Sequence, residues 1–255
     1  MKTFAEYKID EDLTTKEISP KEFPNPVTDT LRKIFIKKGR MDGSKEDDVV
    51  QTKKQKWIAK NLKASQNAVY LGKALGMAIG GVKGGDLGAI VSADKRILDG
   101  HHRWAATMFN DPNAKIGGIE ARLRIGDLVP VLRALGDVFG NERRGAPGGG
   151  DKNIFDATGK DIEDAVTTGK FMNSKFYDKE ASIKWFEGSG GKAELENKLK
   201  RIQNASPPSG APERSQMPVI DADKNQHIKA SKLLRKGDLD VRRPYYDDKK
   251  KKKNK

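Results

Sequence analysis

The 255-residue chain contains no cysteine. It can therefore build no disulfide framework, no thiolate metal site and no cysteine nucleophile. Histidine is scarce, with three in all. Two of these, His101 and His102, are adjacent, so their side chains diverge on helix or strand alike; this speaks against one zinc held by both. No stretch of 18 apolar residues occurs, so no membrane span is expected. Residues Met1 to Asp10 are polar and mixed in charge, without the apolar centre of a signal peptide. A cytoplasmic protein with no membrane partner is the expectation. The familiar phosphate and nucleophile motifs are missing too. Gly169-Lys170 is followed by Phe171 and lacks the upstream glycine of a P-loop, and neither a dinucleotide fingerprint nor a G-x-S-x-G elbow is present.

What the chain does have is charge. Charged residues make up 34% and hydrophobic ones 35%, which describes a modest core with long polar extensions. The net charge of +14 is unevenly placed. The last fifteen residues carry eight basic side chains (Arg242, Arg243, Lys249, Lys250, Lys251, Lys252, Lys253 and Lys255) against two acids. Residues 31–63 carry eleven basic side chains against four acids. Two basic regions point to a polyanion, most simply nucleic acid, bound in a salt-sensitive way without a sequence code. A solubilising tail and a solvated basic loop are the plainer alternatives.

Patterning divides the chain into elements. Pro20, Pro24 and Pro26 oppose helix in residues 1–30. Residues 31–38 read as a strand and 39–56 as a charged loop or a poorly ordered segment. Ser65 reads as an N-cap for a helix bearing Ala68, Leu71, Leu75 and Ala78, ended by Gly80 and Gly81. Gly88–Ser92, a turn at Asp94-Lys95 and Arg96–Asp99 read as a hairpin. A helix from His101 to Phe109 follows, stopped by Asp111 and Pro112. Residues 119–125 alternate as a half-buried strand, with Ile119, Ala121, Leu123 and Ile125 on one face. Residues 128–139 read as helix, 141–150 as a glycine-rich linker, and 161–168 as a short helix. Ala193, Leu195, Leu199 and Ile202 mark another helix, residues 206–218 an extended proline-rich stretch, and 226–235 a last helix. The polar C-terminal third is expected to pack on the first domain instead of folding alone.

The most informative run is Ile97-Leu-Asp-Gly-His-His-Arg-Trp-Ala-Ala106. It gathers Asp99, Gly100, His101, His102 and Arg103 where a strand ends and a helix begins. Such a corner offers unpaired N–H groups and the positive end of the helix dipole, both suited to phosphate. Arg103 can clamp an anion there, and a histidine can donate or move a proton. The structural alternatives are an Asp99 helix cap, a hydrogen-bonded structural histidine, an Asp99–Arg103 pair, and Trp104 as core.

These segments, with Leu62-Lys-Ala-Ser-Gln66 opening a helix, then Gly88 to Ser92, then Asp99-Gly-His-His-Arg103, resemble the ParB/sulfiredoxin superfamily. The resemblance covers residues 60–125 strongly and 15–140 loosely. It implies an α/β (α+β) fold with a small mixed sheet surrounded by helices. In this chain that becomes a domain over 1–140, a linker over 141–152, a polar, mostly helical extension over 153–240 and a basic tail over 241–255. It also implies that Gly100 to Arg103 cradle the phosphates of ATP or CTP with Mg²⁺, and that the protein is phage-type and DNA-associated. Arg103 would neutralise charge in NTP hydrolysis or phosphoryl transfer. His101 or His102 would position a nucleophile or donate a hydrogen bond, and Asp99 would hold the metal or orient a histidine. Ser65, Gln66, Ser92 and Asp94 join the candidate set because the family fold brings their elements together. His101 stands where sulfiredoxins need cysteine, which removes that activity. Gln66 stands where the kinase-like branch has a carboxylate, and it cannot take a proton from a hydroxyl. No helix-turn-helix follows residue 140. The other expectations are a ParB-like nuclease or DNA-binding module without nucleotide turnover, and a non-enzymatic virion or scaffold protein that keeps the fold.

Overall fold

The structure, a computed structural model, describes residues 52–126, 128–129, 152–174, 177–214 and 217. The strand expected at 31–38, the linker at 141–150, the helix at 226–235 and the basic tail lie outside the described residues, as does nearly all of the helix expected at 128–139. The chain divides into two compact units, and one of them, Lys53–Glu120 with Gly145–Arg214, contains the sheet and the helices around it. The helices read from sequence as an extension thus belong to the same compact unit as the sheet.

The element order is mixed α and β. Strand β1 spans Thr52–Ile58 and leads into a 3-10 turn, Ala59–Asn61. Helix α1 spans Leu71–Ile79, β2 Gly85–Ser92, β3 Ile97–Asp99, α2 His101–Asn110 and β4 Lys115–Ala121. After a 3-10 turn at Ile154–Asp156 come α3 at Gly159–Thr168, α4 at Lys179–Gly188 and α5 at Gly191–Asn204. The four strands form one sheet in the order β1-β4-β2-β3. β2 and β3 are antiparallel, with Ile90 opposite Asp99 and Val91 opposite Ile97. Ala59 N–H donates to Ala114 O and Lys60 N–H to Pro112 O, so β1 meets β4 antiparallel. Close approaches of Gly84 to Lys115, Gly117 to Asp86 and Gly118 to Ala89 rise together, so β2 and β4 run parallel. The sheet is therefore mixed, and α2 lies in the crossover between its parallel pair.

The core lies between the sheet and the helices. Leu71, Ala74, Leu75 and Ala78 repeat at helical spacing along α1 and are buried, as are Trp104, Ala105, Met108 and Phe109 on α2. Each large side chain buried this way stabilises the fold by about 1.5–3 kcal/mol. α1 packs on α2, α5 packs on α2 and α3, and α4 packs on α3. Asn110 ties three helices together: its Nδ2 donates to Ala78 O and Val82 O at 2.8 Å each, and its Oδ1 accepts from Trp185 Nε1 at 2.7 Å.

Three local readings are corrected. Residues 52–56 form part of β1 instead of a loop, because Trp57 anchors the strand in the core while Lys54 and Lys56 alternate to the opposite face. The last strand starts at Lys115, four residues before the expected run, and ends at Ala121. Gly117 and Gly118 belong to it because β2 comes so close that a Cβ at 118 would lie 2.0 Å from Ala89 O. Ser65 does not cap α1, whose N-cap is Tyr70 with no side-chain cap bond.

Candidate functional site

The Asp99–Arg103 run lies at a strand-to-helix corner. Asp99 ends β3, Gly100 is the N-cap of α2, and His101 begins the helix. Gly100 has φ +100°, which suits glycine because it carries no Cβ. No side chain caps this helix. Asp99 pairs instead with Arg103, one turn along, at 2.8 Å. The N–H groups in the opening turn of α2 thus lack a side-chain acceptor at the positive end of the helix.

The two histidines are turned inward. His101 is 4% exposed and His102 8%. His101 Nε2 accepts a hydrogen bond from the backbone N–H of Ser65 at 3.2 Å and lies 3.4 Å from Ser65 Oγ. His102 Nε2 accepts from the backbone N–H of Tyr70 at 3.1 Å, and its ring stacks on that of Tyr70 with centroids 5.8 Å apart. Both rings therefore carry their proton on Nδ1, and both Nε2 lone pairs are in use. Burial is the main reason the His101 pKa falls to about 3, with the Arg214 charge adding to it. Burial also lowers His102 to about 2, followed by the charges of Lys73, His101, Arg214 and Arg103.

These bonds belong to a larger pattern. Residues 63–71 run as a strap with little regular structure, and its buried N–H groups need acceptors. Lys63 donates to Lys95 O, Ala64 to Ala205 O, Asn67 to Pro212 O and Leu71 to Lys152 O. Val69 donates to Asn153 Oδ1 at 3.2 Å. The two histidines supply the acceptors for Ser65 and Tyr70. Ser65 Oγ donates to Ile97 O, and Arg96 reaches Ala64 O at 2.7 Å. The strap is thus fastened to β3, α2, the segment before α3 and the segment after α5.

The remaining sequence candidates divide clearly. Ser65 joins His101, and Asp99 joins Arg103. Gln66 is buried, but its Nε2 donates to Ala68 O at 2.6 Å, so its side chain serves its own loop. Ser92 and Asp94 organise the β2–β3 turn: Ser92 Oγ donates to Asp94 Oδ1 at 2.6 Å and accepts from Arg96 N–H at 3.0 Å. That turn is at the opposite end of the hairpin from Gly100, which lies beside Ala89. Trp104 is core, with its Nε1 donating to Ala59 O at 3.0 Å. Asp99 supplies a carboxylate at this corner, and among the described residues no group of three metal-ligating side chains occurs.

Sequence reasoning missed Tyr70, Lys73 and Arg214. Arg214 stands 111 residues after Arg103, in a polar stretch with no motif of its own. The bond from Asn67 N–H to Pro212 O brings it in, and its guanidinium lies over the Tyr70 ring at 5.7 Å. Arg103 and Arg214 thus both act at the head of α2. Arg103 Nε is buried without a hydrogen-bond partner, and among the described residues no carboxylate pairs with Arg214. Such an arrangement can bind an anion through backbone N–H groups and guanidinium donors. It offers no spare histidine lone pair to take up a proton.

Comparison with known proteins adds no relative: no protein-family model, curated protein or solved structure matches the chain. Among the described residues no helix is long and apolar enough to cross a membrane.

Proposed function

We propose that the head of α2 binds the phosphates of a nucleotide, ATP or CTP, in a ParB/sulfiredoxin-like domain. The observation that carries this reading is the pairing of an uncapped helix start with two arginines, one of which keeps a buried Nε without a partner. A buried N–H left unpaired costs about 1–3 kcal/mol, and an anion oxygen would remove that cost. In this reading the N–H groups after Gly100 and the Arg103 guanidinium hold one phosphate. Arg214 supplies the second positive charge. His101 and His102 act as neutral positioning groups, because their Nε2 atoms hold the strap that carries Tyr70. Mg²⁺ brought by the nucleotide would take Asp99 as its protein carboxylate; this ion commonly uses one or two carboxylates together with substrate phosphates. The reading is of a binding site. Hydrolysis or transfer would need a proton acceptor other than these histidines.

Calorimetric titration of ATP and of CTP, with and without Mg²⁺, tests it. Wild type is expected to bind one of them, and Arg103→Ala to bind it about tenfold to a hundredfold more weakly, the loss of a charge-assisted hydrogen bond. A folded wild type that binds neither nucleotide would remove the proposal.

A further inference from the structure

The basic region that the α2 site does not use has a defined geometry. From Thr52 to Gly85 the sequence contains seven lysines and no acidic residue. Five of these are exposed: Lys53, Lys54, Lys56 and Lys60 form a row along β1 and the 3-10 turn after it, whereas Lys63, at the start of the strap, pairs with Arg96 beside β3, at the other edge of the sheet. β1 is an edge strand of the four-stranded sheet. Trp57 is buried, so the alternation of the strand puts Lys54 and Lys56 on the face turned away from the core. Among the described residues no carboxylate forms an ion pair with any of the five.

The geometry points to this lysine row as a docking surface for a nucleic-acid backbone, separate from the α2 site. Its charge has one sign, which suits a polyanion, and among the described residues there is no ion-pair partner to displace. Residues two apart on a strand are about 6.6 Å apart, so Lys54 and Lys56 can each meet a different phosphate of one DNA strand. The row contains no large exposed apolar side chain of the kind that inserts into lipid, which favours nucleic acid over a membrane surface. Lysines on an edge strand also oppose sheet-to-sheet aggregation, and docking uses the same charges when a polyanion is present. Binding here depends on charge and carries no base readout.

The test uses the full chain and a short labelled duplex DNA, with affinity measured from about 50 to 200 mM salt. The row variant is Lys54→Gln/Lys56→Gln/Lys60→Gln. A control, Lys160→Gln/Lys179→Gln/Lys184→Gln, removes the same charge from exposed positions on α3 and α4. The row variant is expected to flatten the slope of log affinity against log salt by about 2 to 3, near 0.9 for each phosphate left without its lysine. The control is expected to change it by less than about 1. A Lys→Arg version of the row keeps the charge and is expected to keep the slope, which separates a charge effect from loss of fold. Equal loss in row variant and control would reduce the effect to net charge and overturn the proposal. An unchanged slope in the row variant would do the same. If the row variant instead lost binding to vesicles rich in anionic lipid while keeping its DNA affinity, the surface would belong to a membrane and the proposal would fall.

Discussion

His101 Nε2 accepts the backbone N–H of Ser65, 36 residues earlier in the chain, at 3.2 Å. The bond makes a histidine at a helix start into an acceptor for a buried loop. His102 repeats the device one residue on, with Tyr70. The two adjacent side chains diverge, and each secures a different point of the strap. The polar run that attracts attention as a reactive cluster is therefore also the fastening of strap to helix. What remains is the Gly100 corner and the partly exposed side chain of Arg103.

Acid sensitivity follows from this. The folded state holds both histidines neutral, with pKa values lowered from 6.5 to about 3 for His101 and about 2 for His102. Below pH 6.5 the unfolded chain binds protons that the folded one refuses, so stability is full above that pH and declines as pH falls. Each histidine contributes a loss of about 1.4 kcal/mol per pH unit. Over about two units the pair would remove about 5 kcal/mol, comparable with the whole stability of a small domain. The melting temperature is expected to be flat above about pH 7 and to drop steeply towards about pH 4.5. In His102→Gln the drop should be shallower. A wild-type melting temperature that does not move between those pH values would contradict the assignment.

Arg214 couples the two themes. Its charge is the second cause, after burial, of the low His101 pKa. In Arg214→Ala the folded histidines are expected to titrate closer to their ordinary range. The gap to the unfolded state narrows, and the acid drop becomes shallower. The same variant should bind nucleotide about tenfold more weakly, near 1.4 kcal/mol. Weaker binding with an unchanged acid profile would separate Arg214 from the histidines.

Gly118 tests the sheet. A Cβ there would lie 2.0 Å from Ala89 O and 2.7 Å from Ala89 C and N, all backbone atoms. Gly118→Ala must push β2 and β4 apart and is expected to cost about 3 kcal/mol or more. Gly188→Ala, where the added atom meets nothing within 4 Å, serves as its comparison in denaturant melts and should stay near neutral.

Thr158 caps α3. Its side chain accepts from Asp161 N–H, and Asp161 Oδ2 accepts from Thr158 N–H at 2.8 Å, a reciprocal capping box. Thr158→Ala is expected to cost about 1 kcal/mol in chemical denaturation. No change in midpoint would show that packing against α5 alone sets the helix start.

Much of the fold was legible in the sequence because periodicity and turn residues are local. The mixed α and β character, the hairpin with its Asp94-Lys95 turn and the α2 start at His101 all follow from patterns a few residues long. Leu71, Leu75 and Ala78 marked the buried face of α1, although the helix begins six residues after Ser65. The start of β4 was hidden because Gly117 and Gly118 carry no side chains to continue the apolar alternation. What retains them in a strand is the backbone of β2, which no local pattern announces. At the site, Gly100, His101, His102 and Arg103 were visible as a cluster, but their division into inward and outward groups was not. It depends on which N–H groups the strap leaves unpaired, and those are set by bonds to residues such as Asn153, Ala205 and Pro212. Arg214 was invisible for the same reason, since only tertiary structure brings it to Tyr70.

The most direct test of the phosphate reading is the backbone amide spectrum of ¹⁵N-labelled protein during titration with ATP, CTP or inorganic tripolyphosphate. Saturable shifts concentrated at the N–H groups of His101, His102 and Arg103, and lost in Arg103→Ala, are the expected result. Shifts confined to other parts of the molecule, or none at saturating ligand, would contradict a phosphate site at the head of α2.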